Sequence, residues 1–233
     1  MRRKHITPLA AACVLAALTA ATPAVAGTPA TVSVRVEGAA STLLPLSTVT
    51  TNNTPTPAPG NCQGTTAAGA LQLATEGNWD HAAYIQTILG ETHEWTTGDP
   101  RYWALWVNDK YAEEGACTLQ LSEGDRVLFL VDKATAPEYT PTVLPLELSG
   151  APAEITQGES ATVTVNKYST AGAASAANGV SVKGGEGTVT TNASGQATVK
   201  FATLGTAHLR GTKSGFAPTA SVPVCVHASG THC

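Results

Sequence analysis

The sequence predicts an α+β domain followed by an all-β domain, and three observations carry that reading. All four tryptophans fall between residues 79 and 106, and a helical repeat lies just before them. From residue 144 onward there is no tryptophan, and short Val/Thr-rich segments alternate with Gly, Asn and Ser, with turns about every ten residues. Between the two lies "KATAPEYTPTVLP" (133–145), where Pro137, Pro141 and Pro145 mark a stiff linker, placed at 134–143.

Each element follows from a local pattern. "ATVSVRVEG" sets Val32, Val34 and Val36 against Thr31, Ser33 and Arg35, the period-two mark of a half-buried strand. "TTNNTPTPAPGN" (50–61) is an exposed loop, because alternating prolines deny both helix and ladder. In "CQGTTAAGALQLATEG", Thr65 is the expected N-cap, Ala67, Ala70, Leu71 and Ala74 keep helical spacing, and Gly77 is the stop. Strands are expected at 84–91, 101–109, 116–121 and 126–131, with "SEGD" (122–125) as a tight turn. One strand, one helix and several strands make an α+β domain at 27–133, with a single helix across a small sheet. The later segments, "ESATVTVNKYS", "GVSVKGG", "GTVTTNASGQATVKFAT", "GTAHLRGTKSG" and "TASVPVCVH", suit a small immunoglobulin-like β-sandwich at 144–233.

The N-terminus reads as an export signal at 1–26: three basic residues, a short Ala/Leu-rich run, then Ala24-Val25-Ala26, the small-x-small pattern before a cleavage site. A lipobox on Cys13 would need a longer apolar run and Leu at position 10, which is Ala. No later apolar stretch approaches the roughly 20 residues of a transmembrane helix, so the expected location is extracellular, free or held non-covalently at the cell envelope. Losing Arg2, Arg3 and Lys4 takes the formal charge from −4 to −7. Residues 28–133 carry twelve Asp/Glu against five Lys/Arg, which argues against nucleic acid as a partner. Four cysteines remain after export, and since each domain holds two, the economical pairing is Cys62–Cys117 and Cys225–Cys233.

At "GALQLA", "YWALWVND" and "LSEGDRVLFLV" the first half resembles bacterial surface domains similar to the C-terminal domain of transcobalamin and intrinsic factor. The resemblance rests on Ala70-Leu71-x-x-Ala74, Tyr102-Trp103-x-x-Trp106-Val107-Asn108, and Leu121-Ser122-Glu123-Gly124-Asp125 before Val127 to Val131, and covers roughly residues 30–132. It implies a β-grasp-like fold of the soluble-ligand-binding type. Where the family often has Gly after the Asn, this chain has Asp109. Cobalamin is the cofactor the resemblance would bring, but cobalamin carriers close the corrinoid against a large helical barrel that this chain lacks, so no cofactor is expected. The second half is similar to the immunoglobulin-like modules of bacterial envelope proteins, which serve mostly as spacers.

The strand "RYWALWVND" frames the functional question. Period two puts Trp103, Leu105 and Val107 on one face and Tyr102, Ala104, Trp106 and Asn108 on the other. With the helix on the first face, Tyr102, Trp106 and Asn108 form the candidate ligand-binding face, fit for a small molecule, a glycan or a peptide side chain. The alternative is that the Pro loop or the second domain covers that face, as the unbroken apolar run "VLFLV" suggests for its neighbour. The leading expectation is therefore a secreted binding protein whose second domain is a spacer; the runner-up is a structural or adhesive envelope protein.

Other clusters read as structure. "CVHASGTHC" offers Cys225, His227, His232 and Cys233, the donor types of a zinc site, but at neither familiar spacing, so a disulfide ring turning at Gly230 is expected and no metal. Asp99, Asp109, Glu113 and Glu114 lack the loop pattern that preorganises calcium. "GETHEW" has no second His for HExxH, no Gly-x-Ser-x-Gly elbow appears, and Asp80-His81 is only a sequence neighbour pair, so no catalytic residue is expected. Mass spectrometry of the unreduced exported protein should find a chain beginning at Gly27, no free thiol, and linked peptides for both disulfides; free thiols at Cys225 and Cys233 would reopen the thiol-metal reading.

Overall fold

The computed structural model describes residues 27–96, 98–134 and 140–233. The expected signal at 1–26 and residues 135–139 of the expected linker lie outside the described residues. Among the described residues the chain is mostly β, with one α-helix. Its first part contains β1 (Thr31–Glu37), β2 (Thr42–Thr50), α1 (Ala67–Ala74), a short hairpin of β3 (Thr87–Ile88) and β4 (Glu91–Thr92), β5 (Arg101–Val107), β6 (Lys110–Tyr111) and β7 (Arg126–Lys133). These build a five-stranded sheet in the order β2-β1-β7-β5-β6, in which β1 and β7 run parallel and the other neighbours antiparallel.

The second part packs two sheets face to face. One holds β8 (Leu144–Ser149), β10 (Ser160–Tyr168), β11 (Ala174–Ala176), β14 (Gln196–Lys200) and β16 (Phe216–Ala217). The other holds β9 (Glu154–Thr156), β12 (Ser181–Lys183), β13 (Val189–Thr190), β15 (Gly205–Thr212) and β17 (Val222–His227). Alternate inward residues such as Val163, Val165, Val199, Leu209, Val224 and Val226 fill the space between them.

Helix α1 lies on one face of the first sheet, where Ala67, Ala70 and Leu71 meet Val32, Val34, Val36, Trp103, Leu105 and Phe129. Its N-cap is Thr66 and not Thr65: Thr66 Oγ accepts from the Gly69 amide at 3.3 Å, while the Thr65 hydroxyl donates to Gln120. The segment 116–121, expected as a strand, instead caps the helix. Its carbonyls at Ala116 and Leu119 accept the Ala68 and Ala67 amides, two of the donors that a helix start leaves free. Only an isolated Thr66–Gln120 bridge remains of the expected ladder. The expected strand 84–91 shrinks to β3, because Leu89 and Gly90 both take positive φ and turn the chain straight back into β4.

Strand β2, which contains Pro45, has no counterpart among the expected elements. It survives as the sheet edge, where a missing amide costs no ladder bond. Both expected disulfides are formed, with Cα–Cα distances of 4.8 Å for Cys62–Cys117 and 6.4 Å for Cys225–Cys233. The first pins the 116–121 segment against the loop preceding α1 and spans 55 positions, so chain entropy alone makes it worth about 4 kcal/mol. A Cys62→Ser/Cys117→Ser variant should lose stability of that order in urea unfolding, and its Ala67 and Ala68 amides should exchange faster than those of β1.

Candidate functional site

Strand β5 divides its side chains as alternation requires. Trp103 and Leu105 join the helix-side core, and the Trp103 indole donates to the Gln86 carbonyl at 3.0 Å. Ala104 and Trp106 point the other way, into a separate cluster with Leu128 and Leu130 of β7 and Ala217 of β16. Tyr102, Tyr111, Val143 and Leu144 pack around it. The second half therefore lies on the Tyr102/Trp106 face. Trp106 is 0% exposed and meets Tyr111 edge-on with ring centroids 5.6 Å apart, whereas Tyr102 is half-buried. Burial pushes the Tyr102 phenol well above its ordinary pKa. The Trp106 Nε1 donor has no hydrogen-bond partner among the described residues.

Asn108 stands apart from these rings. It and Asp109 both take positive φ, 50° and 62°, forming the two-residue turn between β5 and β6. The Asn108 amide donates to Asp125 at 2.7 Å and its carbonyl oxygen accepts the Arg126 amide at 3.0 Å, so the side chain stitches this turn to the start of β7. Asn and Asp tolerate the left-handed region, which accounts for Asp109 where the resembling family often has Gly.

Charged groups line both rims of the contact between the halves. On one rim the Glu37 carboxylate, almost fully buried, accepts from Arg35 at 3.2 Å, from Arg210 at 3.1 Å and from the Thr42 hydroxyl at 2.7 Å. Arg35 also donates to the Pro218 carbonyl at 2.7 Å, and burial lowers its pKa despite the Glu37 charge beside it. On the other rim Arg126 pairs with both Asp109 and Glu147, and the Tyr168 hydroxyl donates to Glu147 at 2.7 Å. Burial drives the Asp109 carboxyl up to about 6; Arg126 opposes the shift and Glu147 adds to it. Burial and its bond to Glu147 push the Tyr168 phenol up to about 12.

Two further contacts fix the halves. Asp132, 1% exposed, accepts the Thr142 hydroxyl at 2.7 Å and the backbone amides of Thr142 and Val143, so one buried carboxylate holds the end of the linker passage. The Tyr111 amide donates to the Thr170 carbonyl at 3.0 Å. A groove of about 560 Å³ lies along the first rim beside Glu37, Arg210 and Phe216, and one of about 310 Å³ along the second beside Leu46, Arg126 and Glu147.

None of the charged seam residues except Asp109 stood out in the sequence. Arg35 sits opposite the apolar face of β1 and reads as solvent-facing; β1 is in fact buried over most of its length. The remaining loop acids divide: Asp99 forms an ion pair with Arg101 at 2.5 Å, which holds its carboxyl down at about 2, while Glu113 and Glu114 are exposed. His93 reaches the Glu91 carboxylate at 2.7 Å, but the same oxygen also accepts the Ala39 amide, and the imidazole packs against Trp103. This pair ties the β1–β2 turn to the β3–β4 hairpin.

Residues 64–133 match the model of a family described as a domain of unknown function, DUF4430. The match spans α1 to β7, including Trp106, Asn108 and Asp132, and leaves out β1, β2 and the whole second half. No curated protein matches the chain. No helix among the described residues is long and apolar enough to cross a membrane.

Asp109 makes the seam sensitive to pH in a definite direction. Between its ordinary value of 3.8 and about 6 the native protein holds a proton there that the unfolded chain has released, so this residue's contribution to stability falls as pH rises through that window. Asp109→Asn removes the titration. Its stability relative to the parent should increase from pH 4 to pH 6, on the order of 1–2 kcal/mol, and level off above, as read by urea unfolding at each pH.

Proposed function

We propose that this is an exported, non-catalytic envelope protein of structural or adhesive type, whose aromatic strand fastens a second domain to the first. The observation that carries this reading is the complete burial of Trp106 beneath Ala217, Val143 and Leu144, a position from which it meets no solvent. Two disulfides suit an oxidising, extracellular location. The sheet order, with parallel first and last strands at its centre and one helix on a face, supports the β-grasp reading of residues 27–133 and the resemblance to the transcobalamin C-terminal domain. The two facing sheets support an immunoglobulin-like module at 144–233. On this reading the second domain is a fixed partner of the first, and the pair presents one continuous surface to other envelope components.

One observation favours a second reading, in which the Tyr102/Trp106/Asn108 region holds a small molecule, glycan or peptide. The buried Trp106 Nε1 lacks an acceptor, which a ligand carbonyl or hydroxyl would supply if the halves separated. The two readings part in one experiment on the full chain. Under the fastening role, Trp106→Ala costs about 3–5 kcal/mol and speeds limited proteolysis of the chain, and the parent protein's Trp fluorescence does not respond to cobalamin, envelope glycan fragments or apolar peptides. Quenching of the parent by any of these, lost in a folded Trp106→Ala protein, would replace it with the binding reading.

A further inference from the structure

The C-terminal ring gathers metal-binding groups that lie far apart in the sequence. Strand β17 pairs in parallel with β9, with Cys225 opposite Glu154 and His227 opposite Thr156. Val224, Val226 and Ile155 point into the sandwich core. Alternation therefore places Glu154, Cys225 and His227 together on the outer face. Past β17 the chain turns at 228–231: the Thr231 amide and hydroxyl both donate to the Ala228 carbonyl, at 3.1 and 2.8 Å, and Gly230 takes the positive φ of 77° that this turn requires. The Cys225–Cys233 disulfide then closes the ring. His232 is thereby folded back over the outer face, with its ring centroid 5.7 Å from that of His227 and its Nδ1 3.4 Å from Glu154 Oε1.

We infer that Glu154, His227 and His232 form a surface site for a late first-row divalent cation, with Zn²⁺ the natural occupant. One donor atom from each of the three lies within 4.8 Å of the others. A tetrahedral zinc centre with bonds of about 2.0–2.2 Å needs these atoms somewhat closer, a movement that exposed side chains make by rotation alone. His227 is already set for ligation. A carbonyl oxygen can only accept, so the 2.9 Å contact from His227 Nδ1 to the Ala228 carbonyl puts the proton on Nδ1 and leaves the Nε2 lone pair free. One Glu154 carboxylate oxygen accepts the Cys233 amide at 3.4 Å and the other faces His232 Nδ1 at 3.4 Å, so the carboxylate is already oriented toward the ring. Two imidazoles and a carboxylate are a zinc-type donor set, and three protein ligands leave a coordination position open to water or to a donor from another molecule. Because both thiols are consumed in the disulfide, they act here as the brace that brings His232 to His227, and not as ligands.

The alternative is that His232 and Glu154 form an exposed ion pair and nothing more. Titrating the full oxidised protein with Zn²⁺, and with Co²⁺ followed by its visible absorption, separates the two. One equivalent should bind, and the His227 and His232 ring protons should shift together in NMR. His232→Ala, an exposed position outside any strand, and Glu154→Gln should each weaken binding at least about tenfold, while His208→Ala on β15 leaves it unchanged. Absence of one-equivalent binding, or undiminished affinity in His232→Ala, would overturn the inference.

Discussion

The structure depends on a sheet that is apolar on both faces. Strand β7 alternates Val127 and Phe129 toward the helix with Leu128 and Leu130 away from it, and β5 does the same with Trp103 and Leu105 against Ala104 and Trp106. A single eight-residue helix can cover one such face only. Burying a Trp and two Leu side chains on the uncovered face is worth several kcal/mol at roughly 1.5–3 kcal/mol each, and only a second body can supply the cover. The second half of the chain provides it through Ala217, Val143 and Leu144. The contact between the halves thus continues the hydrophobic core of the first across the chain's midpoint, and the second half acts as a layer of the fold.

Such a contact needs register as well as area, and the arginines supply it. Residues 27–233 include four arginines, and three of them, Arg35, Arg126 and Arg210, stand in the seam, whereas among the described residues none of the seam's ion pairs uses a lysine. The preference follows from the guanidinium fork. Arg126 serves Asp109 in one half and Glu147 in the other, and Arg35 serves Glu37 and the Pro218 carbonyl, tasks that need several donors in fixed directions. Pairs this close to the interior add little net stability, because desolvation offsets most of the attraction. Their effect falls on alternatives: a displaced docking would take the Arg210 donor from the buried Glu37 carboxylate and the Thr142 and Val143 donors from Asp132, so the charges select one arrangement among those that the apolar surfaces alone would allow.

Much of this was legible in the sequence. Period two in "RYWALWVND" sorted its side chains between faces, the four cysteines paired within their own halves, and the Val/Thr segments of the second half all became strands. What escaped depended on partners distant in the chain. Segment 116–121 has strand composition, but its carbonyls are claimed by the amides opening α1, which no local pattern records. Pro45 argues against a strand until the sheet order makes β2 an edge. Arg35 and Glu37 read as the polar side of a half-buried strand, and only the arrival of Arg210 and Pro218, more than 170 positions later, makes that side an interior. Asn108 was expected on the face of Tyr102 and Trp106, but β5 ends at Val107 and positive φ turns Asn108 into the β5–β6 turn, where its side chain bonds Asp125 and Arg126.

The same reasoning explains why the two disulfides do different work. Cys62–Cys117 closes residues 62–117 into a long loop inside a half whose one helix among the described residues is short, and its effect is on the unfolded chain, whose freedom between the two cysteines it restricts. Cys225–Cys233 closes a ring of separation 8 on strand β17, which is already paired on both sides, by β15 and β9. A ring of that size is worth about 2.5 kcal/mol in the same chain-entropy relation, less than the first bond, and the strand beneath it is secured by Val224 and Val226 in the sandwich core. Stability is therefore a smaller part of what the second bond supplies than of what the first does. What it does determine is the path of residues 228–232: without it the turn at Gly230 would end in a free tail, and His232 would have no fixed relation to His227 or Glu154. The paired strands already place Glu154 and His227, so what the second bond adds beyond its chain-entropy contribution is the position of His232 against them.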